Sequence, residues 1–231
     1  MELLDGVDLE ELVRQHGPLP AERVTYILRQ ACASLAEAHA RAIMHRDIKP
    51  ANIYLCRRAL EHDVVKVLDF GLVRHLASPA AGSGTLVTQP DLTPGTPAYL
   101  APEIILGGEV DARADIYALG CVAFWLLTGR LVFQAASEAA MLVAHAHTAP
   151  PTPSSLAPFP PPEALDQLVL ECLAKDPAAR PQGADLLAER LAAIGFAQPW
   201  SPAAAAHWWA TNRPALKKQQ DPPNGTFIQH H

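Results

Sequence analysis

Cysteine is scarce in this 231-residue sequence, and no two of its four cysteines form a CxxC pair. Three of the four lie in apolar stretches with a helical pattern, where a free thiol usually serves as a small packing residue. A disulfide framework needs regularly spaced cysteines, so we do not expect one. We predict reduced thiols and a cytoplasmic protein, the four residues being Cys32, Cys56, Cys121 and Cys172.

Long apolar runs and an excess of positive charge are also missing. The longest apolar run covers residues 116–128, whereas a membrane-spanning helix needs about 20 residues. Glu2 and Asp5 interrupt any apolar leader at the N-terminus. The formal net charge is −6, which argues against nucleic acid as a main partner. We therefore predict no membrane partner, no nucleic acid partner, and a buried core helix over residues 116–128.

The hydrophobic pattern predicts one mainly helical domain. Apolar residues recur every three or four positions from Ala21 to about Ala42, which predicts a long amphipathic helix. His39 lies on its apolar stripe, and we interpret it as a packed residue rather than a ligand. Two short strands are predicted at residues 52–56 and 64–68, with a polar turn at 61–63. Further helices are predicted at residues 8–13, 111–127, 137–147, 163–174 and 183–194.

An ordered series of short motifs carries the chemistry. His45-Arg46-Asp47-Ile48-Lys49-Pro50-Ala51-Asn52 comes first, Asp69-Phe70-Gly71 follows, and Ala101-Pro102-Glu103 comes last. One such tripeptide occurs often by chance, but the three motifs in this order and spacing are specific. The series resembles the catalytic half of a bacterial eukaryotic-type (Hanks-type) serine/threonine protein kinase. The resemblance implies a protein-kinase-like large lobe in which a small β-hairpin region carries the catalytic loop and the Asp-Phe-Gly loop.

The resemblance also implies the cofactors ATP and Mg²⁺ and a set of catalytic residues. Phosphoryl transfer depends on positioning and charge neutralisation. Asp47 is expected to accept the proton of the substrate hydroxyl, and Lys49 to neutralise the transferring phosphate. Asn52 and Asp69 offer hard oxygen ligands that suit Mg²⁺. Asp8, a plausible helix N-cap, also falls where the family holds the ribose. The expected ATP-binding residues are Glu2, Leu4, Asp8, Lys49, Asn52, Tyr54 and Asp69.

Support and regulation are expected from further residues. Asp115 is expected to hold the backbone at His45 and Arg46, and Glu103 to pair with Arg180. Arg46 precedes the catalytic aspartate, so it can pair with a phosphothreonine in the segment between the second and third motifs. Thr96 resembles the threonine that bridges the catalytic Asp and Lys in the family. Candidate phosphorylation sites are Thr85, Thr88 and Thr93, although ordinary loop residues remain an alternative.

The motifs of the family's small N-terminal lobe are not found in the sequence. The only GxG, at residues 82–84, lies after the Asp-Phe-Gly motif, and residues 1–6 resemble the hinge between the two lobes. We therefore expect the small lobe to be absent and the kinase domain to cover residues 1–196. Residues 197–231 are expected to form a low-complexity, largely disordered tail, with mostly disorder after Pro214. Trp208 and Trp209 in this tail are expected either to dock on the lobe or to serve as an anchor.

Three functions stay open at this point. The first is a truncated serine/threonine kinase that acts on protein substrates, with weak activity because half of the ATP site is missing. The second is a binding or scaffold module, which could also complement a separately encoded small lobe. The third is an inert gene fragment, which predicts poor solubility because the apolar cleft between the lobes would be exposed.

Overall fold

The computed structural model describes residues 5–58, 61–68 and 96–212. Helices dominate these ranges, together with a small antiparallel sheet and four short 3₁₀ turns. Within the same ranges, every helix is too short or too polar to span a bilayer. The elements are β1 (Gly6–Asp8), α1 (Leu9–His16), α2 (Ala21–His39), β2 (Ile53–Arg58), β3 (Glu61–Val67), α3 (Pro102–Leu106), α4 (Arg113–Thr128), α5 (Glu138–His147), α6 (Glu163–Cys172), α7 (Ala184–Ala192) and α8 (Pro202–Asn212).

Helix α4 forms the centre of the core, as the apolar run over residues 116–128 predicts. Ile116, Tyr117 and Phe124 are fully buried, so neighbouring elements surround the helix. The helix packs closely on α6 at Gly120, where an added Cβ would lie 2.7 Å from the Cβ of Cys172. It ends at Gly129, whose positive φ of 67° is one that glycine adopts without strain.

The sheet has the order β1-β2-β3 with both pairings antiparallel. Strands β2 and β3 match the predicted hairpin, but the pattern gave no sign of the three-residue strand β1. The predicted turn at residues 61–63 is wrong, because these residues belong to β3. Asp63 makes that stretch look polar, yet it is fully buried and binds other parts of the chain. The polar residue Asp63 therefore marks a buried hydrogen-bond network rather than a surface turn.

The folded part of the chain continues past the predicted domain boundary at residue 196. Helix α8 packs against β3, and its residues Ala205 and Trp209 are buried. The expectation of a largely disordered tail from residue 197 is therefore wrong for residues 197–212. Of the two alternatives for Trp208 and Trp209, the structure shows docking on the lobe. Composition misled because an alanine-rich stretch looks like low complexity, whereas small side chains let this helix approach closely. Residues 213–231 lie outside the described ranges.

All four cysteines are buried and free, as the sequence predicts. Burial raises the pKa of the Cys32 and Cys121 thiols and raises that of Cys172 to about 12. A thiolate is the reactive form of cysteine, so these thiols serve as packing residues.

Candidate active site

The backbone before Asp47 is held from beneath by Asp115, which lies in the first turn of α4. Its Oδ2 accepts a hydrogen bond from the His45 backbone N–H at 2.8 Å, and its Oδ1 accepts one from the Arg46 N–H at 2.9 Å. Arg46 has a φ of +65°, a left-handed conformation that is unfavourable for a residue with a Cβ. The two hydrogen bonds offset this strain, and the contact expected of Asp115 is present.

His39 is a further part of this support. Its Nε2 lies 2.8 Å from Asp115 Oδ2, so the imidazole and the His45 N–H share one carboxylate oxygen. The interpretation of His39 as a packed residue therefore missed a hydrogen-bond role. The residue ends α2 on the apolar stripe, and Asp115 lies 76 positions further on, so no local pattern indicated the pair.

Two of the predicted catalytic side chains, those of Lys49 and Asn52, converge on the carboxylate of a third, Asp47. Lys49 Nζ and Asn52 Nδ2 donate to Asp47 Oδ2 at 2.7 and 2.9 Å, and Asn52 Nδ2 also lies 2.8 Å from the Asp47 carbonyl. The Asp47 side chain is 42% exposed and that of Lys49 24% exposed, so the pair faces an open surface. The cluster therefore joins a reachable carboxylate, a cation and an oriented amide.

The strand that leads to Asp69 is joined to the same loop. His45 Nε2 lies 2.7 Å from the Leu68 carbonyl oxygen, and the Leu68 N–H donates to the Asn52 carbonyl at 2.8 Å. Asp69 itself lies outside the described ranges. Within those ranges no group of three or more His, Cys, Asp or Glu side chains could hold a metal ion. Asn52 fits a Mg²⁺ ligand because its amide nitrogen faces Asp47 and leaves the oxygen for the ion.

The other residues expected to bind ATP are only partly described. Glu2 and Leu4 lie outside the described ranges. Asp8 lies opposite Tyr54 in the pairing of β1 with β2. Its carboxylate accepts the Glu11 N–H at 2.8 Å, which makes it the N-cap of α1. Asp8 is only 1% exposed, and its contact with the ribose stays a prediction.

Glu103 and Arg180 form the expected buried pair. Arg180 donates from its two terminal nitrogens to the two Glu103 oxygens, each at 2.7 Å, and the side chains are 0% and 8% exposed. Its remaining donors reach the carbonyls of Ala174, Lys175 and Arg113. This pair therefore anchors α3, which begins at the third motif, to the segment before α7.

The predicted regulatory residues can be placed only in part. Thr85, Thr88 and Thr93 lie outside the described ranges, whereas Arg46 is exposed and so accessible to an anion. Thr96 begins a 3₁₀ turn, Thr96–Tyr99. A cavity of about 10 Å³ between this turn and Asp47 is lined in part by Tyr99, a volume near the minimum for one water molecule. It is therefore too small for a nucleotide.

The chain belongs to the protein kinase domain family, whose model matches residues 1–192. It is 47% identical over 184 residues to the serine/threonine-protein kinase Pkn1 of Myxococcus xanthus, covering 78% of this chain and 25% of that protein. It is 42% identical over 184 residues to PknB of Mycolicibacterium smegmatis, covering 80% of this chain and 28% of that protein. The solved kinase domain of Mycobacterium tuberculosis PknI matches with a TM-score of 0.58 and 27% identity, covering 83% of this chain and 63% of that one.

These similarities define the class more narrowly. The curated relatives are named serine/threonine kinases, so the chain is a member of the serine/threonine branch by resemblance. The chain spans only about a quarter of the length of those two relatives.

Proposed function

We propose that this chain is the large lobe of a serine/threonine protein kinase, which transfers the γ-phosphoryl group of ATP to serine and threonine hydroxyls of proteins. The observation that carries the proposal is the convergence of Lys49 and Asn52 on Asp47, in a loop that Asp115 holds. The kinase names of the relatives support it independently.

In this proposal each described side chain has a separate task. Asp47, whose carboxylate is reachable from solvent, accepts the proton of the attacking hydroxyl. Lys49 lies beside that carboxylate and neutralises charge on the phosphoryl group. Asn52 fixes the Asp47 carboxylate through its amide nitrogen. Asp115 and His39 act only by positioning the loop backbone.

The cofactors would be held by residues at the same loop and strands. Mg²⁺, when bound, would neutralise the phosphate oxygens of ATP. Its ligands would be the Asn52 amide oxygen and the Asp69 carboxylate. The adenine would lie against Tyr54 on β2, with Glu2 and Leu4 as hinge contacts.

A small lobe is needed to complete the ATP site. We propose that residues 1–196 are the hinge and the large lobe, because the sequence has no Gly-rich loop, strand lysine or helix glutamate of the family. A preceding part of the same polypeptide or a separate chain could supply that lobe. The four buried, free cysteines support a reducing compartment, and we place the protein in the cytoplasm.

Regulation by phosphorylation is a further part of the proposal. The exposed Arg46 guanidinium could pair with a phosphate on Thr85, Thr88 or Thr93 and so order the segment between the second and third motifs. Thr88 and Thr93 are the preferred sites. Intact-mass and peptide mapping of the protein incubated with Mg²⁺-ATP would identify the modified threonine.

The test compares three purified proteins with Mg²⁺-ATP and a general protein substrate. They are the 231-residue chain, a fusion that carries the small lobe of Pkn1 before residue 1, and the same fusion with Asp47→Asn. We expect slow or no transfer by the chain alone, clear transfer by the fusion, and loss of transfer in the Asp47→Asn fusion. No transfer by a folded fusion would overturn the proposed reaction. Rapid transfer by the chain alone would show that the small lobe is not needed.

A binding module is the second candidate function. The elements after the third motif are folded and anchored by the buried Glu103–Arg180 pair, so a peptide could be held without chemistry. Such a module should bind its protein partner equally well with and without Mg²⁺-ATP. A kinase should release the phosphorylated product more readily in the presence of the nucleotide.

A further inference from the structure

A fully buried carboxylate that accepts four hydrogen bonds lies outside the catalytic loop, at Asp63 on β3. Arg23 of α2 donates to both of its oxygens at 2.9 Å, and the two side chains are 1% and 0% exposed. Trp200 Nε1 donates to Oδ2 at 2.9 Å, and Trp209 Nε1 donates to Oδ1 at 2.6 Å. Each oxygen therefore accepts one hydrogen bond from Arg23 and one from an indole.

The faces of the Arg23 guanidinium are covered by Trp200 and Trp208, which belong to the same segment as Trp209. Its carbon lies 3.8 Å from the ring centre of Trp208 and 4.9 Å from that of Trp200. The guanidinium of Arg57 on β2 lies 5.4 Å from the ring of Trp209. Cation–π contacts of this kind strengthen when water is excluded, as it is around Arg23. We call residues 200–212 the clasp and the Arg23–Asp63 pair its receptor.

The receptor and the clasp come from different parts of the chain. Arg23 and Asp63 lie within the part that the family model matches, whereas the clasp lies beyond residue 192, where that match ends. The connecting residues 197–199 are exposed. A buried carboxylate is stabilised when hydrogen bonds satisfy its oxygens. The clasp provides two of the four hydrogen bonds to Asp63, although Arg23 Nη1 stays without a hydrogen-bond partner among the described residues. The Asp63 side of the receptor therefore fits an indole-bearing segment.

The receptor is also connected to the catalytic loop. Gln30 of α2 donates to the Asp63 carbonyl at 2.9 Å and accepts the Val65 N–H at 3.1 Å, which fixes the middle of β3. At its far end this strand reaches Leu68, whose carbonyl contacts the imidazole of His45. Leu68 immediately precedes Asp69 in the sequence. One strand thus links the clasp to the loop that carries Asp47.

We propose that the clasp is a tethered ligand of the Arg23–Asp63 receptor and that its docking holds β3 in position for catalysis. The docking itself does not depend on the reaction, but its effect on catalysis rests on the proposed function. Release of the clasp would expose the receptor and loosen β3. The activity of the domain would then depend on a segment outside the part that defines the family.

Hydrogen exchange on the full chain tests the docking. We would compare the wild type with Trp200→Phe/Trp209→Phe, which removes both indole donors to Asp63. Trp125→Phe is the matched control, because the Trp125 indole nitrogen is buried without a hydrogen-bond partner among the described residues. We expect exchange in residues 61–68 to rise about tenfold or more in the double variant, which corresponds to 1.4 kcal/mol of local stability. We expect the control to stay within about twofold in that strand.

Equal protection of β3 from hydrogen exchange in the wild type and the double variant would overturn the proposal. An equally large loss of protection in Trp125→Phe and in the double variant would also overturn it. If the double variant does not fold, Trp200→Phe alone gives the test, because Trp200 is only partly buried. Trp125→Phe also leaves tryptophans only in the clasp, so its fluorescence reports directly on docking.

A second experiment distinguishes a ligand from a permanent part of the fold. A protease site is introduced in the exposed residues 197–199, the protein is cut, and a synthetic peptide of residues 198–212 is added back. We expect faster exchange in β3 after cutting and dilution, and recovery with the peptide. A peptide with Trp209→Phe should need about ten times the concentration. Failure of the wild-type peptide to restore protection would show that the clasp is not a separable ligand.

Phosphoryl transfer by the small-lobe fusion provides the catalytic readout. We expect the double variant to reduce transfer, while Trp125→Phe retains it. If the wild-type fusion is inactive, the proposed function fails, but the exchange data still decide the docking. If β3 loosens while transfer is unchanged, docking stands and its effect on catalysis is overturned.

Discussion

The substitution Arg180→Met should destabilise this domain more than the substitution Glu103→Gln. In Arg180→Met the Glu103 carboxylate is left without its cation in a site that is only 8% exposed. Breaking a buried pair in this way costs about 3–5 kcal/mol. The carbonyls of Ala174, Lys175 and Arg113 also lose a donor. For Glu103→Gln we expect a smaller loss of about 1.5–3 kcal/mol, because Arg180 keeps those three carbonyls.

Urea unfolding followed by circular dichroism gives the free energy of unfolding for Arg180→Met, for Glu103→Gln and for the double variant Arg180→Met/Glu103→Gln. The double variant should be less destabilised than the sum of the single variants, because no unpaired charge remains. We expect a coupling energy of about 2 kcal/mol or more, within the range found for residues in contact. A coupling below about 1 kcal/mol, as found for surface ion pairs, would refute the reasoning.

Three further predictions concern single positions. His39→Phe should lower transfer by the small-lobe fusion about tenfold with little change in the KM for ATP, because the imidazole positions the loop without touching the nucleotide. Burial, with help from the Lys175 charge, lowers the pKa of His145 from 6.5 to about 4. The unfolded chain therefore binds more protons between these values, and stability should fall by up to about 3 kcal/mol as the pH drops from 6.5 to 4. Gly120→Ala should cost about 1–3 kcal/mol because its Cβ would clash with α6, whereas Gly108→Ala meets only ordinary contacts at 3.6 Å or more.

Each of these predictions has a result that contradicts it. Unchanged transfer in a folded His39→Phe fusion would show that Asp115 holds the loop unaided. The loss of folding stability at acid pH should be smaller in His145→Phe than in the wild type. An identical pH profile of stability would show that other titrating groups cause the loss. Equal free energies of unfolding for the two glycine variants would mean that α4 and α6 can separate without loss.

The clustering of Lys49 and Asn52 with Asp47 could be predicted from the sequence because its contacts are local. Lys49 and Asn52 lie two and five positions from Asp47, so the motif itself nearly determines which atoms meet. The helices followed from apolar periodicity for the same reason. The Glu103–Arg180 contact spans 77 positions and came only from the family resemblance.

The parts that could not be predicted depend on distant residues. Trp209 meets Asp63 across 146 positions, and the Arg23–Asp63 pair spans 40. Nothing near Asp63 distinguishes a buried acceptor from a surface turn residue, which is why the turn at residues 61–63 was predicted there. Strand β1 has three residues and is defined by its partner rather than by its own pattern.

The left-handed backbone at Arg46 affects which residue is most stable at that position. A left-handed φ costs a residue with a Cβ roughly 1–2 kcal/mol, and glycine would avoid this strain. Thermostability by itself therefore favours glycine at position 46. The arginine that stands there is exposed, so packing does not repay the strain. The proposed pairing with a phosphothreonine would account for an arginine at this position, and a library selected only for folding should lose this arginine early.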